Sequence, residues 1–159
     1  MPAPKSPGSP YGEVREFIML TFLGKYRDHV PLVLRILLGL TLIFSHGLPK
    51  IMAPERWERE GQAMANFGIT FAPVFWGFMA GATELVVGIL FLIGLAVRPG
   101  AIMVLFIMFV AAVNNVVSAG GLSGLQGGRS HPIDFAAGTL ALLILGAGAA
   151  SIDRKIGWG

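Results

Sequence analysis

The sequence predicts an all-α integral membrane protein: a four-helix bundle with an N-terminal interfacial helix and a short interfacial helix between spans 1 and 2. Three observations point there. Of 159 residues, 54% are hydrophobic and 13% charged, whereas a soluble domain needs about 25% charged residues to cover its surface, so a bilayer must solvate this chain. Four apolar segments are each long enough to cross that bilayer. Cysteine is missing altogether, which removes disulfides, thiolate metal sites and CxxC redox chemistry from the chain's own repertoire. The formal net charge of +3 is a small excess without a basic run, so membrane lipids are expected partners and nucleic acid is not.

Residues 1–12, rich in Pro, Gly and Ser, read as a flexible tail, and no signal-peptide pattern precedes the first span. Over residues 13–30 a short apolar patch (Phe17, Ile18, Leu20, Phe22, Leu23) is bracketed by Arg15, Glu16, Lys25 and Arg27. It is too short to span and suits an amphipathic helix lying in the membrane interface. Spans are expected at about 31–50, 72–97, 99–119 and 132–150, each able to cross about 30 Å of hydrocarbon at about 1.5 Å per helical residue; together they make a membrane domain over 31–153. The connections differ in kind. Ala53 to Gly68 reads as a second interfacial helix with Glu55 and Arg59 at i,i+4 and Trp57 as an anchor. Arg98-Pro99-Gly100 reads as a tight turn, and the glycine-rich run after Ala119 as a mobile loop. Residues 154–159 form a short tail.

Orientation follows from Lys and Arg. Lys5, Arg15, Lys25, Arg27, Arg98, Arg154 and Lys155 lie on one side, and Lys50, Arg56, Arg59 and Arg129 on the other. That asymmetry predicts a multi-pass protein of a bacterial-type inner membrane with both termini cytoplasmic.

Ionisable residues within a membrane are costly and mark function by default. Glu84, near mid-membrane on a helix face shared with Gly77, Gly81 and Gly88, is the strongest such candidate, with His46 a possible partner in a proton relay. On a regular helix Arg35, Gly39, His46 and Lys50 share one stripe. Asp134, Gly138 and Ala141 do the same on the fourth span, and Asn114 and Asn115 end the third. Arg35, His46, Lys50, Trp76, Glu84, Asn114 and Asp134 are therefore expected to line one interior ligand pocket in the leaflet facing away from the termini, with Glu84 as its floor and Arg35 near the opposite boundary. Each has a blander role: snorkelling for Arg35, a helix cap for Lys50, interhelical hydrogen bonds for the asparagines, a first-turn carboxylate for Asp134. His46 and His131 could in principle hold a haem, but His131 lies in a glycine-rich connection. HExxH, Walker and nucleophile-elbow motifs are missing, and no metal or thiol cofactor is expected.

The run LRILLGLTLIFSHGLPKI, then NFGITFAP, ATELVVGILFLIGLAVRPGA and GAGAASID, resembles the DoxX family of small four-helix membrane proteins, which includes the DoxD-like subunit of thiosulfate:quinone oxidoreductase. The resemblance covers residues 32–153. It rests on Arg35 and Gly39, the His46-Gly47 and Lys50 element, Glu84, the turn with Gly94, Leu95 and Arg98, and the ending Ser151-Ile152-Asp153. This chain has Ala147 and Ala150 where the family's ending carries a proline and an aromatic. The resemblance implies quinone-linked electron transfer or oxidant resistance, quinone or quinol as cofactor, and partner oxidoreductase subunits. In that reading His46 and Lys50 donate to the carbonyl oxygens, Glu84 relays protons, and Phe75, Trp76 or Phe78 line a flat slot. The alternatives are a non-catalytic accessory or anchoring subunit of a larger membrane complex, and a small transporter.

Overall fold

A computed structural model describes residues 29–129, 131–148 and 150–158; the expected tail over 1–12, and all of the expected interfacial helix but its last two residues, lie outside them. The described residues are mostly helical, with no strand among them. Among the described residues three helices are long and apolar enough to cross a membrane: Val30–Ile51, Pro73–Ile93 and Val97–Ser118. The first is composite, with α1 (Val30–Thr41), a π turn (Leu42–Gly47) and α2 (Leu48–Ile51) following without a break. After it come α3 (Trp57–Gly61), α4 (Pro73–Ile93), α5 (Val97–Ser118), α6 (His131–Leu145) and α7 (Ile152–Lys155).

Lipid is as apolar as leucine, so these helices are held by close approach rather than by hydrophobic transfer. The glycine face of α4 provides that approach. A Cβ on Gly39 would lie 2.9 Å from Gly88 O, and one on Gly88 3.0 Å from Gly39 O, so α1 and α4 meet backbone to backbone. Nearer the start of α4, a Cβ on Gly61 would overlap the Pro73 carbonyl and one on Gly77 the Trp57 carbonyl. Residues 53–68 are therefore not one helix lying free in the interface. They divide into a 3-10 turn, α3 and a second 3-10 turn, with α3 docked on α4.

The π turn changes what the first span presents. Gly39 and Gly47 would diverge by about 80° on a regular helix turning 100° per residue. Yet both press on α4: a Cβ added to Gly47 would stand 2.5 Å from Leu85 N. A π turn bonds i to i+5 and takes up one additional residue. Downstream positions are thereby rotated, Gly47 replaces His46 on the α4 side, and His46 turns to α6. The expected stripe of Arg35, Gly39, His46 and Lys50 is corrected on this point.

Helix boundaries shift for local reasons. The second span stops at Ile93 because Gly94, at φ +70°, closes a Schellman motif: Leu95 N donates to Leu90 O at 3.0 Å and Gly94 N to Phe91 O at 3.2 Å. The turn is thus Gly94 to Ala96, and Arg98-Pro99-Gly100 belongs to the first turn of α5, where a proline is tolerated. The fourth helix ends at Leu145, since Gly146 and Gly148 adopt φ +75° and +76°. Its 15 residues cover about 22 Å, less than the hydrocarbon core of about 30 Å. Its buried face is Phe135, Thr139 and Leu142, one position away from the expected Asp134, Gly138 and Ala141. Asp134 is exposed in the first turn. The loop after α5 folds back on that helix: Asn115 Nδ2 donates to Arg129 O at 3.0 Å, and Gly124 sits against the Asn115 carbonyl.

The expected tail over 154–159 begins inside α7. Asp153 Oδ1 accepts from Ala96 N at 2.7 Å and Oδ2 from Val97 N at 2.9 Å, capping α5 across the fold, while Asp153 N donates to Gly94 O at 2.9 Å. The start of the first span, the α4–α5 turn and the last helix consequently meet at one end of the bundle.

Candidate functional site

Glu84 is fully buried near the middle of α4. Lys50 Nζ donates to its Oε1 at 2.9 Å and lies 2.8 Å from its Oε2. A second carboxylate, Glu60 of α3, reaches the same ammonium at 3.7 Å. The geometry has local causes. Gly81 lets the Lys50 stem cross α4, since a Cβ there would stand 2.9 Å from Lys50 Cβ. Trp57 Nε1 donates to Lys50 O at 2.7 Å, satisfying a carbonyl at the end of α2 and fixing where α3 begins. The expected anchor at Trp57 is in fact a clasp between elements, its ring edge-on to Phe78 at 5.0 Å.

Beside this triad a cleft of about 680 Å³ runs between α4 and α5, closed at one end by α3 and the 3-10 turn after it. Its walls are apolar, with Phe75, Trp76 and Met79 from α4 and Met103, Phe106 and Val110 from α5. Lys50, Glu60, Thr83, Asn114 and Asn115 supply the polar groups. Asn114 Oδ1 accepts from Asn66 Nδ2 at 3.2 Å, tying α5 to the closing turn. The indole N–H of Trp76 is buried and has no acceptor among the described residues. Lys50, with three N–H groups, can bond a carboxylate and still offer a donor to a ligand. Two anions around one cation leave the site with a formal charge of −1.

Of the residues expected to share a pocket, Lys50, Trp76 and Asn114 line this cleft, with Glu84 directly behind Lys50. The others lie elsewhere. His46 packs on His131 (ring centroids 4.9 Å) and Phe135 (5.6 Å), not on Glu84, and imidazoles in such contact leave no gap for a porphyrin. Asp134 does not line the cleft, and α6 contributes nothing to it. Phe78 is engaged with Trp57. Arg35, 2% exposed, sits at the opposite end of the bundle. Its Nη1 donates to Ala147 O at 3.0 Å and its Nη2 to Ala150 O. Non-helical backbone at membrane depth must be satisfied from within the protein, and Arg35 does this for the segment after α6. Glu60, Thr83 and Asn66 were not legible as site residues. Gly61 and Gly77 were a usable signal, being two small residues whose apposition docks α3 and so delivers Glu60.

The DoxX family model matches residues 30–117. A relative described as an uncharacterized membrane protein of Mycobacterium tuberculosis is 34% identical over 137 residues, covering 77% of this chain and 78% of that one. No solved structure matches.

Proposed function

The chain belongs to the DoxX family of membrane proteins, and on that premise we propose that it is a membrane subunit holding a quinone, or a similar small apolar carbonyl compound, between α4 and α5. The observation that carries this reading is the cleft itself, an apolar slot of about 680 Å³ with a lysine ammonium and a mid-membrane carboxylate at one side. Pockets for small ligands fall in this size range and pair apolar walls with a few placed polar groups. When bound, a quinone would supply the redox chemistry, with electrons delivered by a partner oxidoreductase subunit. This chain's residues position and protonate. Lys50 Nζ donates to a carbonyl oxygen, Glu84 exchanges protons with Lys50, and Glu60 connects that pair to the membrane surface. We place the protein in an inner membrane with both termini cytoplasmic, so that the cleft opens in the outer leaflet.

Mass spectrometry of lipids retained after purification in mild detergent tests the binding: a quinone is expected with the native chain and is expected to be lost with Lys50→Met. Absence of retained quinone, together with no quinone-dependent change in thermal stability, would overturn it. Because Lys50 already neutralises Glu84, a purely architectural pair in an anchoring subunit is the competing reading. Glu84→Gln decides between them, since an anchor keeps full assembly and activity of its complex, whereas a proton relay loses most activity while assembly persists.

A further inference from the structure

Glu84 lies between two halves of the bundle that differ in kind. Toward α3 the polar groups are graded. Glu84 has no exposed surface, the Lys50 side chain that it meets at 2.8 Å is 23% exposed, and the Glu60 carboxylate 3.7 Å from the same ammonium is 25% exposed. Beside Glu60, the Glu58 and Arg59 side chains of α3 are exposed, so charged groups lead from the middle of α4 to a water-facing helix. Away from α3 the same face of α4 is dry. Its next residues, Val87, Gly88 and Phe91, are all buried, and Val87 and Phe91 share one apolar cluster with Leu42, Val104 and Leu142 of the neighbouring helices. A Cβ added to Gly88 would stand 2.8 Å from Ile43 Cγ1 and 3.0 Å from Leu42 Cβ, and one added to Gly100 2.9 Å from Val87 Cγ1. A water needs room and at least two polar partners, and a layer closed to a methyl group on both sides of α4 offers neither. Thr139, buried on the inner face of α6, spends its hydroxyl hydrogen on Phe135 O at 2.9 Å. The layer ends at Arg35, whose Nη1 a Cβ on Gly94 would overlap. Gly94 is ten residues past Glu84, or about 15 Å at about 1.5 Å per residue.

Resting on the reading that Glu84 exchanges protons through Lys50, we infer that this exchange has a side: Glu84 is in protonic contact with the α3 face of the membrane and is sealed from the Arg35 face. Protons cross membrane interiors along chains of ionisable groups and water, and here such a chain runs in one direction, through Lys50 and Glu60. The pair takes protons from the α3 face and returns them there. Any proton that a ligand in the cleft gains or loses is exchanged with that compartment, whichever side delivers the electrons. Arg35 and Glu84, the intramembrane charges that a transport path would join, stand on either side of the dry layer. The guanidinium is turned to the Ala147 and Ala150 carbonyls. The chain therefore holds half of a proton path and conducts no protons across the bilayer.

Because the chain has no cysteine, an introduced thiol is the one target of a thiol reagent. Thr83→Cys, in the cleft wall level with Glu84, and Val87→Cys, one turn further on within the dry layer, are tested in the full chain in sealed vesicles. Protease access to a tag following α7 reports which vesicles expose the Arg35 face. Ag⁺, a small thiol-binding cation, is added outside in nitrate buffer, and thiols left free are counted by mass spectrometry after N-ethylmaleimide in detergent. Ag⁺ at the α3 face is expected to protect most Thr83→Cys thiols and Ag⁺ at the Arg35 face few, while Val87→Cys is expected to stay unprotected from both. Protection of Val87→Cys from either face, or of Thr83→Cys from the Arg35 face or from neither, would overturn the inference. The native chain supplies a second measurement. Under an imposed potassium diffusion potential, vesicles holding it are expected to take up protons no faster than empty vesicles, and faster uptake that Glu84→Gln abolishes would overturn the seal. Failure of the relay reading looks different: Glu84→Gln keeps full activity while the pattern of Ag⁺ protection stands.

Discussion

Lys50 serves two carboxylates of unequal burial, and the consequences of losing each partner differ. Glu84 has no exposed surface, while Lys50 and Glu60 retain about a quarter of theirs. Removing the cation therefore strands a buried anion, a change that costs about 3 kcal/mol or more. Lys50→Met is expected to lower stability by about 3 kcal/mol in thermal unfolding in nanodiscs. Glu84→Gln should cost less, because the amide oxygen still accepts from Nζ and Glu60 still balances the charge. The double variant Lys50→Met/Glu84→Met is expected to regain most of the loss, as apolar replacement of a whole buried pair is often near neutral; a double variant as unstable as Lys50→Met would show that the pair itself holds the fold. Glu84 was legible at this scale because a carboxylate among glycines on one helical face must point inward. Its partner was not, since no spacing rule relates a residue of the first span to one of the second.

At the scale of elements, the glycines rank by what surrounds them. Gly61→Ala and Gly77→Ala would drive a methyl into a backbone carbonyl between α3 and α4, and backbone cannot yield as a side chain does. Each is expected to cost about 1–3 kcal/mol and to loosen the triad by displacing Glu60. Gly138→Ala meets only Leu38 at 3.4 Å and should be close to neutral, given that alanine is about 1 kcal/mol the better helix former. Melting temperatures of the three variants check the order. The π turn makes a second prediction. If it accommodates one additional residue, deleting the exposed Ser45 should leave a regular helix with Gly47 and Lys50 still facing α4. Lys50 is then expected to remain paired, read out as stability within about 1 kcal/mol of the native chain; a loss like that of Lys50→Met would show that the π turn is needed to aim Lys50. Nothing in LIFSHG announces such a turn, which is why the regular-helix reading put His46 beside Glu84. The fourth helix misled for a different reason: apolar nearly all round, it has little periodicity from which to read a face. The stops at Gly94 and Gly146 were hidden behind stronger-looking punctuation, the proline of Arg98-Pro99 and the small-residue run after Gly146.

Across the whole molecule, two polar assemblies sit at opposite ends of the bundle. One, around Lys50, borders a cleft. The other, Arg35 with the Ala147 and Ala150 carbonyls and Asp153 on the start of α5, closes the fold and uses its polar groups on backbone. Arg35→Met leaves two carbonyls without their charged donor, at about 1.5–3 kcal/mol each, and Asp153→Ala removes a cap worth about 0.5–2 kcal/mol. Both act on one segment, so the double variant is expected to lose less than the sum of the single losses, whereas strict additivity would mean that the two contacts are independent. The all-helical membrane architecture was legible from composition and segment length, with three of the four expected spans long enough to cross and the fourth shorter. That one end is architecture and the other borders a cleft was not, because both ends offer a basic residue, an acid and glycines.

The arginine contact also bears on how the protein is made. Arg35 and its acceptors are 112 and 115 residues apart, so the first span leaves the ribosome long before the carbonyls that complete it exist. Until translation reaches Ala150, that helix carries a guanidinium whose backbone acceptors among the described residues have not yet been made. Completion of the last segment is then the event that commits the first, and a chain ending before Ala147 would present quality-control proteases with an unfinished first helix.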